Sequence, residues 1–162
     1  MEDIHLRIET IAQKKLIGLT SEMSLSENST PILWKGFMTK RKEITNTISD
    51  DLISMQVYDP DLDFSRFTPQ TIFEKWAVTE VTDFDHIPEG MKTFVLPEGQ
   101  YAVFLHKGLP SDFPKTAQYI YGQWLPKSGY TLDSRPHFEV LGAKYKNNDP
   151  GSEEEVWIPI KE

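Results

Sequence analysis

Two glutamates in the last quarter of the chain have the neighbours of a ligand-binding or acid–base site. Glu155 precedes Trp157 by two residues, and alternate side chains of a strand share a face, so the carboxylate would lie beside the indole ring. Such a pair holds an aromatic cation by charge and by a cation–π attraction of about 1 to 2 kcal/mol. The alternative is that Glu155 belongs to a solvated acidic run, residues 153–155.

Glu139 is the second candidate, and in a strand it would share its face with His137 and Leu141. If Glu139 and Glu155 adjoin across a hairpin, their like charges raise the pKa of one carboxyl group. A protonated carboxyl beside an ionised one is an acid and base pair that can serve hydrolysis. Two separate, exposed surface glutamates remain the competing interpretation.

Aromatic residues in predicted strands are candidates for the walls of a cleft, because each shares a face with polar neighbours. These are Tyr58, Trp76, Phe104 and Trp157. Trp34, in the first turn of a predicted helix, either leans over such a cleft or packs beneath it.

Other chemistries lack their motifs. The chain has no cysteine, and its four histidines have no metal-ligand spacing such as HExxH; they are His5, His86, His106 and His137. No GxSxG elbow and no glycine-rich phosphate loop is present. We therefore expect neither a metal nor a cofactor.

Length and charge set further expectations. With 162 residues and 38% hydrophobic content, the chain is expected to form one domain over residues 1–162. A net charge of -8 argues against direct DNA binding, and the basic run 35–42 is interpreted as a solvated helix face. No apolar run approaches the roughly 20 residues of a membrane span, so we expect a soluble, cytoplasmic protein without membrane contact.

The candidate residues must be positioned by the predicted elements. The first half carries β-prone segments at 6–11 and 15–20, a helix from Ser29 or Thr30 that includes Ile44 and Ile48, and strands at 52–58 and 74–82. Phe64 and Phe67, in the loop between those strands, could cover the domain.

The second half is predicted to repeat this order. A strand at 100–106 precedes a helix that starts near Ser111 or Asp112 and ends at Ser128-Gly129, and strands follow at 137–143 and 153–160 around a hairpin loop at 147–151. The pattern predicts an α+β fold of two β-α-β-β units, about 1–90 and 91–162, related by a pseudo-twofold axis. With one helix over each unit, the opposite face is expected to form a concave cleft. Val156, Ile158 and Ile160 would then pack beneath the helices.

Several strings resemble gyrase-inhibitor-like domains, a fold that also forms the effector-binding part of some bacterial transcription activators. They are residues 99–104, Trp124-Leu125 followed by Ser128-Gly129-Tyr130, 137–140 and 155–160. The resemblance implies paired β-α-β-β units, a cleft for varied aromatic or cationic small molecules, and a buried glutamate on its floor. Because the chain leaves no room for a helix-turn-helix module, it resembles the stand-alone members.

The resemblance leaves three functions open. One is a binding module that senses or sequesters small molecules. Another is a hydrolase of strained cyclopropane-containing compounds, which would use Glu155 or Glu139 with Trp157 nearby. The third is contact with a protein partner such as DNA gyrase or a regulator.

Overall fold

The computed structural model describes residues 4–146 and 149–162. Residues 147 and 148 of the predicted hairpin loop lie outside them. The strands are β1 His5–Ile11, β2 Lys14–Met23, β3 Leu52–Val57, β4 Phe73–Val81, β5 Lys92–Leu96, β6 Gly99–Lys107, β7 Thr131–Leu132, β8 His137–Leu141 and β9 Glu153–Lys161. The α-helices are α1 Thr30–Lys40, α2 Phe113–Tyr119 and α3 Leu125–Ser128.

The two halves share one topology. In the first, β4 lies between β2 and β3; in the second, β9 lies between β6 and β8. The halves join where β3 pairs with β8 in antiparallel fashion, with Ser54 opposite Glu139. The full order is β1-β6-β9-β8-β3-β4-β2-β5, and β7 pairs separately with β9. The predicted α+β fold with two β-α-β-β units is confirmed.

The first helix begins as predicted, with Ser29 as N-cap and a proline in its first turn. It ends earlier than predicted. A short 3₁₀ turn, Arg41–Glu43, follows Lys40, and Ile44 has an extended backbone. The charged residues after Lys40 offer no apolar group that would hold a further helical turn on the sheet. Ile44 is buried from an extended segment instead, while Ile48 stays half exposed.

The second helix is interrupted by a π-helical segment, Ile120–Trp124, which connects α2 to α3. Gly129 ends α3 at φ 82°, a left-handed conformation that glycine adopts without steric cost. The apolar face of the second helix carries Ile120 and Trp124, which pack on the sheet. Tyr121 does not lie on that apolar face. Because a π-helical turn inserts one extra residue, it changes the direction in which the following side chains point.

Both helices cover the same face of the sheet. Ala77 of β4 packs under α1, and Val156 of β9 packs under the α2 segment. The register links these positions through Ser54 and Glu139, which lie side by side on the central strands. The strip of β3 and β8 between the two helices therefore forms the floor of a groove, which we call the helix-side groove.

The opposite face is packed rather than open. It carries a buried apolar cluster of Ile11, Leu16, Ile53, Met55, Trp76, Val78, Leu96, Tyr101, Val103, Phe138 and Trp157. The expectation of an open cleft on this face was wrong, because residues from strands at both ends of the sheet, including Ile11 and Leu96, close over it. The polar strip of β3 and β8 lies between the helices instead.

Candidate ligand-binding site

Five polar side chains from the central strands gather on the floor of the helix-side groove. We call them the Glu139 cluster: Gln56 of β3, Lys75 of β4, His137 and Glu139 of β8, and Glu154 of β9. Gln56 lies opposite Lys75 on one side and opposite His137 on the other. Strand alternation places these side chains on the helix face, since their strand neighbours Met55, Trp76 and Phe138 belong to the apolar cluster behind the sheet.

Glu139 is the most central carboxylate of this cluster, and only 14% of its side chain is exposed. The side-chain amide of Gln56 donates to Oε1 at 3.2 Å, and Nζ of Lys75 lies 4.0 Å from the same oxygen. Burial raises the pKa of Glu139, while the charge of Lys75 and the hydrogen bond from Gln56 oppose that rise.

Glu154 provides a second carboxylate in the groove. Burial, together with the charge of Glu139, raises the pKa of Glu154 to about 7, against the opposing charge of Lys75. One carboxyl group of the cluster thus holds a proton near neutral pH beside an ionisable partner. The sequence analysis expected this coupling between Glu139 and Glu155. The register corrects it, because Glu139 pairs with Val156 and Glu155 pairs with Val140, so Glu139 and Glu155 lie on opposite faces.

Lys75 is 9% exposed, although lysine is rarely buried unless it is paired. Burial lowers the pKa of Lys75, and the nearby carboxylates of Glu139 and Glu154 oppose that shift. The cluster therefore combines two acids and one base with little access to water. Such perturbed, converging titratable groups are typical of functional sites.

Aromatic rings form one end of the groove. The ring of Tyr58 lies 5.0 Å from the imidazole of His137, and Phe64 lies 5.5 Å from the same imidazole. Phe64 and Phe67 both pack on Tyr58, so the loop between β3 and β4 covers this end of the groove. The sequence analysis predicted such a covering role for Phe64 and Phe67.

The hydroxyl groups and the imidazole at this end are uncharged. Burial lowers the pKa of His137 to about 3, and burial raises the pKa of both Tyr58 and Tyr121. The hydroxyl of Tyr121 lies 3.0 Å from Nδ1 of His137, and the histidine tautomer decides which of them donates. More than a third of Tyr121 is exposed, yet its hydroxyl points inward, so the ring forms a wall of the groove.

A cavity of about 360 Å³ adjoins the aromatic end and is lined in part by Tyr58, Phe64 and His137. Pockets for small organic ligands typically measure roughly 300 to 1,000 Å³. Polar groups also line the cavity, among them Asp63, Asp133 and Arg135. The cluster and this cavity together combine aromatic surface, neutral hydroxyls and buried charge.

Glu155 and Trp157 form the predicted pair, but behind the sheet. The indole nitrogen of Trp157 donates to Glu155 at 3.2 Å, and Arg7 forms an ion pair with the same carboxylate at 3.1 Å. The ring of Trp157 is 7% exposed and stacks on Phe138. Val156, Ile158 and Ile160 pack beneath the second helix, as predicted. Because Glu155 and Glu139 lie on opposite faces, they cannot line one cleft.

Two other aromatic candidates, Trp76 and Phe104, are also placed away from the cluster, whereas Tyr58 lies at its aromatic end. Trp76 is 6% exposed in the apolar cluster behind the sheet, where its indole nitrogen donates to Glu74. Phe104 is fully buried beneath the second helix, edge-on to Trp124. Trp34 lies on α1 and packs edge-on against Phe37.

Of the five cluster residues, Glu139 alone was a candidate in the sequence analysis, and Glu154 and Lys75 were missed for different reasons. Strand alternation puts Glu154 on the face of Val156, so the register of β9 already indicated that Glu154 points toward the helices. Lys75 gave no such signal, since a lysine in a strand normally lies at the surface. Within residues 4–146 and 149–162, no group of three or more His, Asp or Glu could hold a metal ion, and no helix is long and apolar enough to cross a membrane.

Comparison with known proteins identifies the relatives of this chain. The GyrI-like small molecule binding domain family matches residues 5–161. The transcriptional regulator BrlR of Pseudomonas aeruginosa is 26% identical over 163 residues, which are 99% of this chain and 57% of the regulator. A DNA gyrase inhibitor of Erwinia billingiae is 34% identical over 85 residues, covering 49% of this chain and 52% of the inhibitor. The match thus spans little more than half the length of either relative.

Solved structures share the fold. SAV2435, determined with bound tetraphenylphosphonium, superposes with a TM-score of 0.70 at 14% identity, over 99% of this chain and 94% of that one. At this identity the likeness concerns the fold alone.

Proposed function

We propose that this chain, which belongs to the GyrI-like small molecule binding domain family, binds aromatic or cationic small molecules in the helix-side groove. In this proposal, Glu139 supplies the charge on the floor, and Tyr58 and Tyr121 supply the walls. The protein would act as an effector-binding or ligand-sequestering domain.

The main support for this proposal is the burial of the Glu139 side chain. Its carboxylate lies between the two helices with 14% of the side chain exposed, and Gln56 is its hydrogen-bond donor at 3.2 Å. A buried carboxylate attracts a cation more strongly than an exposed one, because little water screens the interaction. Tyr58 and Tyr121 lie close enough for the charge of Glu139 to act on them, and aromatic rings bind aromatic groups and cations.

The test compares two glutamates on opposite faces of the sheet. Tetraphenylphosphonium is titrated into the parent, Glu139→Gln and Glu155→Gln while tryptophan fluorescence is followed. Losing a charge-assisted contact in a poorly hydrated site costs about 1.5 to 3 kcal/mol, so Glu139→Gln should weaken binding at least about tenfold. Glu155→Gln, which removes a partly exposed ion pair behind the sheet, should change affinity by less than about twofold.

The same titration discriminates between the two faces. A loss in Glu155→Gln with none in Glu139→Gln would place the ligand behind the sheet and contradict the proposal. Thermal melts of all three proteins check that each variant is folded.

A hydrolase is the second candidate, and the coupling of Glu139 with Glu154 favours it. The carboxyl group of Glu154, with a pKa of about 7, can act as general acid, and the neighbouring carboxyl group can act as base when it is ionised. Mass spectrometry of the recovered ligand separates the two functions, since a binding protein returns its ligand unchanged.

A further inference from the structure

Lys75 is largely buried, yet its ammonium group has no close acceptor. Lys75 lies in the middle of β4 and is 9% exposed. Its nearest charged atom is Oε1 of Glu139 at 4.0 Å, which is beyond hydrogen-bond distance. Among residues 4–146 and 149–162, Nζ of Lys75 forms no hydrogen bond. An ammonium group carries three donors, and leaving them unpaired in a buried site is costly.

The partners around Lys75 do not satisfy it. Gln56, its neighbour on β3, uses its amide nitrogen on Glu139. Glu154 acts on Lys75 through charge alone, without a hydrogen bond among the described residues. The ammonium therefore has donors free for an acceptor that enters the groove.

The charges of the cluster also favour a ligand that brings an acceptor for Lys75. Lys75 already offsets one of the two carboxylates, Glu139 and Glu154. A ligand that brings only a positive charge meets at most one uncompensated negative charge, together with the repulsion of Lys75. A ligand that brings a cation and an acceptor satisfies a carboxylate and the ammonium together, so no added charge stays unpaired in a poorly hydrated site.

We propose that Lys75 determines ligand specificity by binding a carboxylate oxygen, so that the groove prefers aromatic ligands carrying both a cationic group and a carboxylate group. The proposal rests on the proposed binding function of the groove. It makes the preferred ligand class zwitterionic rather than simply cationic.

The test uses one dye in two forms, the ethyl ester of a rhodamine and the free acid of the same rhodamine. Both carry the same aromatic cation, and only the free acid carries a carboxylate. Their affinities for the parent and for Lys75→Met are measured by fluorescence anisotropy at neutral pH. Methionine keeps a similar length and removes the charge. Lys92→Met, an exposed lysine on β5, is the matched control.

The parent and Lys92→Met should bind the free acid at least about fivefold more tightly than the ester, a difference of about 1 kcal/mol. Lys75→Met should lose this preference through weaker binding of the acid, while binding of the ester stays the same or tightens. Tetraphenylphosphonium, which like the ester has no carboxylate, should also bind Lys75→Met as tightly as the parent or more tightly.

Other outcomes overturn the inference in distinguishable ways. If Lys75→Met weakens both dyes equally, Lys75 only supports the structure, and the binding function stands. If the parent prefers the ester, the groove selects simple cations and Lys75 does not bind an acceptor. If neither dye nor tetraphenylphosphonium binds the parent, both proposals fail. Lys75→Gln provides the same comparison if the methionine variant does not fold.

Discussion

Replacing Glu154 by glutamine should raise the stability of the protein relative to the parent, and this gain should be larger at pH 8 than at pH 5. Burial and the charge of Glu139 raise the pKa of Glu154 from 4.5 to about 7 in the folded state. The folded protein therefore holds this proton more tightly than the unfolded chain does. That stabilisation is complete below pH 4.5 and is lost as pH rises through 7. Glutamine is neutral at every pH and does not suffer this loss.

The magnitude follows from the size of the shift. About 2.5 pKa units at 1.36 kcal/mol each give an upper bound of about 3 kcal/mol, and partial exposure and relaxation of the groove reduce it. We expect the stability of Glu154→Gln relative to the parent to rise by about 1 to 3 kcal/mol between pH 5 and pH 8. His137 has the opposite dependence: burial lowers its pKa from 6.5 to about 3, so its contribution is lost as pH falls below 6.5. Subtracting the parent cancels the contribution of His137.

Urea unfolding followed by tryptophan fluorescence measures both proteins at several pH values. The slope of free energy against urea must match between them, so that the difference reports stability alone. A second arm uses the Glu139→Gln background, in which the like charge that raises the pKa of Glu154 is absent; there the pH-dependent gain should shrink. A difference that stays flat to within about 0.5 kcal/mol from pH 5 to pH 8 would refute the assigned coupling.

Two further predictions concern the framework of the sheet and the second helix. Gly18→Ala should destabilise the fold by at least about 3 kcal/mol, because a Cβ atom at residue 18 would lie 1.9 Å from the carbonyl oxygen of Ala77. The control Gly122→Ala, which has open space around it, should be neutral or stabilising. Urea unfolding measures the stability of both variants. Thr116→Val should cost about 1 to 3 kcal/mol in the same assay, because it removes the partner of Nδ1 of buried His106 at 2.6 Å. Thr39→Val, on the exposed side of α1, controls for the helix propensity of valine.

Local sequence signals predicted most of the fold. Ser29 and Pro31 marked the start of α1, Gly129 marked the end of the second helix, and the repeated order of elements predicted the paired units. β5 was missed, since this short strand, which pairs with β2 at one end of the strand order, carries no strong alternation. The end of α1 was misplaced because the spacing of Ile44 fits a helix and an extended segment equally well.

The site was harder to predict than the fold, since its position depends on which face of the sheet stays open. Alternation correctly separated Glu155 and Trp157 from Val156. Alternation could not show that strands from both ends of the sheet bury the face on which Glu155 lies. That closure depends on contacts between distant residues, such as Ile11 and Leu96, which no local pattern contains.

In the acidic run of β9, neighbouring glutamates point to opposite faces of the sheet, so the register of this strand decides which of them enters the groove. Glu155 faces Arg7, which holds it in an ion pair at the surface behind the sheet. Glu154, one position earlier, enters the groove, where Glu139 and Lys75 act on it. A shift of one residue in the pairing of β9 would exchange the two carboxylates and also turn Val156 away from the helix. The buried row of Val156, Ile158 and Ile160 opposes such a shift, so the packing beneath the second helix also holds Glu154 in the groove.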